Sequence, residues 1–445
     1  MQSIDTLIYA SWIIPVEPTN VIYEQHALAI HEGKILAIVP GDQAVRQFSA
    51  SITHRLTNHV LIPGLINTHT HAAMTLLRGF ADDMHLHEWL VDWIWPTEQA
   101  WVSEAFVADG TKLAIAEMLR GGVTCFNDMY FFPETMADIT AKIGIRCVAG
   151  LIVIDFPTPY AQNADEYLQK AQTMYEQFRE HPLVHLAFAP HAPYTVSNQP
   201  LEQIRDLAGA WNIPIHMHVH ETAKEVEDSM AQFGERPLTR LNRLGLLSPQ
   251  LVAVHMTQLR HEEIDLLAEK GVHVAHCPES NMKLANGFCP VHKLTSAGVN
   301  VALGTDGSAS NNDLDMMVEM RVAALLTKGL SKDASVIPAS HALQMATLNG
   351  AKALGIEDIT GSLVPGKAAD VVAIDMQELE TQPIYNPLSH VIYAVGREKV
   401  TDVWVAGKHL LKSRVLTSLD IHEIKTNTIA WRDKIISTAK NTNNS

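Results

Sequence analysis

The chain has 445 residues, of which 47% are apolar and 18% charged, and its formal net charge is −16. That composition excludes a disordered chain and is long enough for a large domain with an added module. The acidic balance repels phosphate backbones, which argues against a nucleic-acid partner, and the absence of an apolar run of about 18 residues argues against a membrane-spanning helix.

The elements follow in chain order. The N-terminal segment MQSIDTLIYASWIIPVEP lacks a cationic start and a long apolar stretch, so it reads as a strand and not as a signal peptide. Residues 1–59 read as short strands at 7–14, 26–31 and 35–39, with a turn at 32–34. From residue 60 onward strand and helix alternate. Eight apolar, β-branched runs occur at 60–66, 123–127, 146–154, 184–189, 213–219, 251–255, 272–276 and 299–303, with helical patterns such as 106–120 and 200–211 between them. Eight such units predict a closed parallel barrel with its chemistry at the C-terminal strand ends. A turn-rich stretch at 361–367 then leads into strands at 370–374 and 400–405. The two β-rich ends are each too small to bury a core, so they are expected to pair.

The predicted fold class is therefore α/β, a (β/α)₈ TIM-like barrel with a small β-sandwich built from both chain ends. Residues 1–59 with 357–412 are assigned to the sandwich, 60–356 to the barrel and 413–445 to a helical tail that frays over 441–445. The four cysteines, Cys125, Cys147, Cys277 and Cys289, form no CxxC pair, which argues against a cysteine-based metal or redox site and suits reduced thiols in a cytoplasmic protein.

Several of the 23 histidines cluster where strands should end. The first barrel strand ends in His69 and His71, two apart and so on one face. The fifth ends in HMHVHE, residues 216–221, and the eighth in GTDG around Asp306. Any one of these histidines is equally a buried core residue, and HxH alone is a weak signal. Three imidazoles and a carboxylate at converging strand ends point instead to one divalent metal, Zn²⁺ or, as the alternative, Fe²⁺, held by His69, His71, His218 and Asp306.

PGLINTHTH, HVHET and LGTDGSASNNDLDMM resemble the amidohydrolase superfamily. NTHTHAAMTLLRGFADDMHLHEWL and HCPESNMKLANGFCPV resemble its 5′-methylthioadenosine/S-adenosylhomocysteine deaminase family, and the similarity runs over nearly the whole chain. The bridging lysine that two-metal members carry at the end of strand four has no counterpart in APHAPY, residues 189–194, so a mononuclear site is expected. The resemblance implies hydrolytic deamination of the adenine C6 amino group, giving the inosine analogue and ammonia.

In that reading Glu221 moves protons between the attacking water and the ring, with helix capping as its bland alternative. His255 contacts the same water, although a core histidine is the competing reading, and Asp306 accepts its second proton. Glu98 holds the ribose diol and His191 lies beside the ribose. Trp89, Trp93 and Trp95 offer an apolar wall or simply pack in the core. Relatives that take S-adenosylhomocysteine carry two arginines after strand three, but AGLIVIDFPTPYAQNAD at 149–165 contains neither arginine nor lysine. The expected order is therefore 5′-methylthioadenosine, then adenosine, then S-adenosylhomocysteine, unless Arg78, Lys224 or Arg236 reaches the 5′ end. Two other readings stay open: a hydrolase of guanine, cytosine or a triazine, against which Glu98 weighs, and a non-catalytic amidohydrolase-like scaffold, against which the complete ligand set weighs. The expected partner is a small nucleoside, with self-association into a homo-oligomer left open.

Overall fold

The computed structural model describes residues 1–442. The chain opens with β1 (Gln2–Ile13), β2 (Tyr23–His31), β3 (Lys34–Pro40) and β4 (Phe48–Pro63). The first three form an antiparallel meander. After the short helix Gly41–Gln47, β4 returns parallel to β1. Eight parallel strands follow, each paired with the next: β5 (Leu65–Thr70), β6 (Val123–Asp128), β7 (Arg146–Val153), β8 (Val184–Pro190), β9 (Ile215–Val219), β10 (Leu251–His255), β11 (His273–His276) and β12 (Val301–Leu303). Asp306 N donates to His69 O at 3.0 Å and Thr68 Oγ1 to Leu303 O at 2.8 Å, which brings the eighth strand back to the first. Finally β13 (Val371–Asp375), β14 (Val400–Val405), β15 (Lys408–Lys412) and β16 (Val415–Leu416) join the N-terminal strands in one eight-stranded sheet, ordered β16-β15-β14-β13-β4-β1-β2-β3.

The strand alternation explains the terminal sheet. Ile8, Leu28, Leu61 and Trp404 bury one face, while Leu7, Ala27 and Ala29 bury the other beneath Ala44 of the short helix. The barrel strands are buried on both faces and so read as continuous apolar runs. The polar exceptions, Asn67, Thr68, His69 and Thr70 among them, are equally buried and fall at strand C-termini.

The apolar run at 60–66 is divided between the two sheets. Val60 and Ile62 pair with Ile374 and Val372 of β13, whereas the barrel begins at Leu65. The change falls at Gly64, where a Cβ would stand 1.8 Å from Thr124 Oγ1, so only glycine lets the backbones approach. Pro96 falls where a π-helical turn over Trp89–Ile94 gives way to helix Trp95–Trp101, so the helical stretch continues through it.

A buried ion pair joins the sheets. Arg146, at the start of β7, reaches Asp370, just before β13, with Nε–Oδ2 at 3.1 Å, and both side chains are almost fully buried. Asp370 also accepts from Thr360 Oγ1 at 2.8 Å and Ala406 N at 2.7 Å. The C-terminal helix Ile421–Thr442 packs on helix Glu104–Arg120, where Trp431 Nε1 donates to Asp109 at 3.0 Å. The polar end read at 441–445 lies outside the described residues from 443 onward. Among the described residues no helix is long and apolar enough to cross a membrane.

Arg146→Ala leaves the Asp370 carboxylate buried without its cation, a loss of about 3–5 kcal/mol. The expected result is a lowered denaturation midpoint by circular dichroism. A midpoint equal to that of the unsubstituted protein would show that the pair does not hold the sheets together.

Candidate active site

The C-terminal ends of β5 and β9 and the turn after β12 aim four side chains at one point. His69 Nε2 lies 3.3 Å from Asp306 Oδ1, His71 Nε2 lies 3.2 Å from the same oxygen, and His218 Nε2 lies 3.2 Å from His69 Nε2. The geometry also fixes two tautomers. His71 Nδ1 donates to Met129 O at 2.6 Å and His218 Nδ1 to His191 O at 2.7 Å, and a carbonyl can only accept. In the neutral form each ring therefore turns a bare Nε2 lone pair to the centre. His69 Nδ1 is held 2.8 Å from His216 Nε2.

Burial pushes His69 down to about 4 and His218 well below the ordinary imidazole range, so both are neutral at pH 7. Burial lowers His71 as well, but the Asp306 carboxylate outweighs it and lifts this ring to about 9. Unshared pairs and a carboxylate at contact distance repel one another unless positive charge lies between them. A divalent cation meets that need as a shared proton does only in part, so the donors fit a metal. The end of β8 supplies His191 and no lysine, leaving no bridge for a second ion.

Supporting residues orient this set. Ser280 Oγ donates to Asp306 Oδ2 at 2.6 Å and Gly307 N to Oδ1 at 2.8 Å. His255 Nδ1 pairs with Asn281 Oδ1 at 2.8 Å, while its buried Nε2 has no hydrogen-bond partner among the described residues and lies 3.7 Å from Glu221 Oε1. Glu221 accepts from Asn286 Nδ2 at 3.0 Å, and burial raises its pKa. The Glu225 carboxylate accepts the main-chain N–H of His220 at 2.9 Å and of Glu221 at 2.7 Å, fixing the strand end. His220, His255 and Asp306 all have positive φ, at 53°, 72° and 64°, which costs energy for non-glycine residues and clusters here around the site.

One cleft contains His71, His191, His218, Glu221, His255 and Asp306, and Glu98 lines it too. Glu98 is buried and accepts from Tyr130 OH at 2.7 Å; burial, partly offset by that bond, pushes it up to about 7. Burial takes His191 down to about 3, and its Nδ1 lies 3.1 Å from Thr195 Oγ1. Ile154, Phe156 and Pro157 form an apolar wall with Trp89 and Trp95, whereas Trp93 stands outside the cleft and is partly exposed.

No arginine or lysine lines the cleft among the described residues. Arg78 is committed to Glu117 and Asn312 O, Arg236 to Glu263 and Gln258 O, and Lys224 pairs with Asp228 in solvent. The structure thus brings His69, His71, His218 and Asp306 to one point and sets Glu98, His191, Glu221 and His255 around the same cleft, while Trp93, Arg78, Lys224 and Arg236 lie outside its lining. It adds His216, Tyr130, Glu225, Ser280, Asn281 and Asn286, of which only His216 carried a signal, its two-residue spacing from His218.

Barrel, sheet and histidine cluster together define an amidohydrolase: residues 60–410 match the amidohydrolase family, and the chain belongs to it. Within the family the chain is 51% identical over 433 residues to a 5-methylthioadenosine/S-adenosylhomocysteine deaminase from Teredinibacter turnerae, covering 97% of this chain and 98% of the relative. It also superimposes on the crystal structure of an adenosine deaminase from Xanthomonas campestris with bound zinc, at a TM-score of 0.97 and 51% identity, covering 98% and 99% of the two chains. An atrazine chlorohydrolase from Arthrobacter aurescens shares the fold at a TM-score of 0.89 and 23% identity, with 96% and 100% coverage.

His218→Ala removes one of the converging lone pairs. The purified variant is expected to lose its metal, read as metal per chain by plasma emission spectrometry. Retention of one tightly held ion per chain would mean that His218 is not a ligand.

Proposed function

We infer that the chain is a hydrolytic deaminase that replaces the C6 amino group of an adenine nucleoside by oxygen, with 5′-methylthioadenosine and adenosine as its preferred substrates. The carrying observation is that Glu221 and the histidine–aspartate cluster share one cleft with the buried Glu98. His69, His71, His218 and Asp306 would hold one divalent ion. Their mixed nitrogen and oxygen donors suit Zn²⁺, the metal in the Xanthomonas campestris structure, and accommodate Fe²⁺ as well. When bound, such an ion lowers the pKa of water toward neutrality and so supplies a nucleophile at pH 7.

The chain's own residues do the rest. Glu221 is buried, which raises its pKa and favours a carboxyl that takes up and gives back a proton. It takes a proton from the attacking water and delivers it to N1 of the purine, so that C6 becomes tetrahedral. His255 faces the same oxygen through its unpartnered Nε2 and steadies the charge that builds there when that nitrogen carries the ring hydrogen. Asp306 takes the water's second proton, which passes to the departing amino group. The C6–N bond then breaks, ammonia leaves and the C6 carbonyl forms. Glu98 accepts from the two ribose hydroxyls through the oxygen that Tyr130 leaves free, and His191 contacts the substrate beside the ribose. A free base or triazine has no diol for Glu98 to read.

Glu221→Gln keeps the donors of the ion but removes the proton carrier. The variant is expected to retain metal and lose ~10²–10⁴-fold in kcat. Metal loss or near-normal turnover would end the assignment of that role.

The apolar wall sets the order of substrates. Burying a methylthio group contributes on the order of 1–2 kcal/mol by area. A homocysteine tail brings a carboxylate into a cleft whose lining has no cation, and an unpaired buried carboxylate is costly. In one buffer, kcat/KM by ammonia release is expected to rank 5′-methylthioadenosine first, adenosine close behind and S-adenosylhomocysteine last. S-adenosylhomocysteine equal to or better than 5′-methylthioadenosine would overturn this order.

A further inference from the structure

A second cavity, of about 490 Å³, lies between helix Glu104–Arg120, the edge of the terminal sheet and the C-terminal helix, and shares no lining residue with the catalytic cleft. Four cations line it, Arg120, Arg397, Arg414 and Lys425, against two carboxylates, Glu117 and Glu398. In a chain of net charge −16 this is a local reversal of sign.

The pairing within the cavity is uneven. Glu117 is already shared by Arg78 and Arg397, the latter at 2.8 Å. Arg120 donates only to the main-chain oxygen of Arg414, at 3.0 Å, and Arg414 only to those of Arg397 and Val400, at 2.8 and 2.6 Å. Among the described residues Arg120, Arg414 and Lys425 have no carboxylate within ion-pair distance. Burial and the guanidinia of Arg120 and Arg397 hold Arg414 below its ordinary range, as expected where cations crowd without enough counter-charge. The carbonyl bonds fix Arg414 Nη1 and leave the rest of its fork for a ligand. Leu113, Leu416, Ile421 and Ile424 make the remaining wall apolar.

We propose that this cavity is a binding site for a small organic anion, a phosphate or carboxylate head carried on an apolar body, with the head between Arg120, Arg414 and Lys425. A route to the catalytic cleft starts from the same wall. Arg397 Nε lies 3.5 Å from Asp315, and Glu117 accepts from Leu314 N at 3.3 Å. Arg78, on the same carboxylate, donates to Asn312 O at 2.6 Å. These contacts hold the segment that follows Asp306 and carries Ser310 into the cleft. An anion that pulls on Arg414, whose Nη1 holds the main-chain oxygen of Arg397, shifts Arg397 against Glu117 and Asp315 and loosens that segment, so occupancy of the cavity alters turnover. The binding claim does not depend on which nucleoside the cleft takes.

The test is isothermal titration of the metal-loaded protein with phenyl phosphate, inorganic phosphate and phenol, in low salt and again in high salt. Phenyl phosphate is expected to bind more tightly than inorganic phosphate, to weaken with salt and to exceed phenol, which supplies the body without the charge. Lys425 is exposed and Arg120 half-buried, so Lys425→Glu and Arg120→Ala should both fold. Each should weaken phenyl phosphate by ~10-fold or more while leaving its turnover without the probe unchanged. Undiminished affinity in both variants places any bound phosphate elsewhere, the cleft included, and overturns the proposal, as does no binding at millimolar probe. In the same samples kcat/KM for adenosine should change with phenyl phosphate in the unsubstituted protein and not in Arg120→Ala. Constant kcat/KM alongside binding would overturn the link to the cleft alone.

Discussion

His71 and His218 each give their Nδ1 proton to a main-chain carbonyl, so as neutral rings they turn two bare Nε2 lone pairs to the centre of the barrel beside His69 and the Asp306 carboxylate. In a buried place with little water to screen them, such acceptors repel one another strongly. The arrangement is tolerable only around positive charge, and only if the scaffold prevents the rings from turning away. The barrel provides that rigidity. Strand ends cannot move apart without breaking their ladders, and Asp306 N hydrogen-bonds to His69 O across the closure. The left-handed backbone at His255 and Asp306 is a further cost at the same place, borne by the surrounding packing.

Three carboxyl groups, Glu98, Glu221 and Glu225, are buried near this centre, and burial raises the pKa of each. The bases that line the cleft are histidines, with no arginine or lysine among the described residues. Glu225 illustrates how far the support extends: it touches no cleft atom in the proposed chemistry, yet its two oxygens hold the backbone from which Glu221 projects.

The terminal sheet contributes from outside. Its strand β4 runs to Pro63, and one residue later the chain enters the barrel strand that ends in His69 and His71. Gly64 makes this handover without a side chain, and the buried Arg146–Asp370 pair ties the base of β7 to the lead-in of β13. His69 and His71 therefore sit at the end of a strand anchored in one sheet and then in the other.

Much of this was legible before any coordinates. Period-two spacing placed His69 and His71 on one face, and eight apolar runs of the right length predicted a barrel that would gather them with His218 and Asp306. Seven of the eight runs begin within two residues of an observed strand, because a strand buried on both faces writes an uninterrupted apolar stretch. The eighth, at 60–66, hid the change of sheet at Gly64, since apolar residues look alike whichever sheet buries them. Tyr130, Ser280, Asn281, Asn286 and Glu225 carry no spacing that announces them. Their roles come from hydrogen bonds between segments as much as 65 residues apart, as between Asn286 and Glu221. Local periodicity determined which residues face inward; only the closed barrel decided which inward-facing residues meet, because register and closure bring together groups whose separation along the chain has no period.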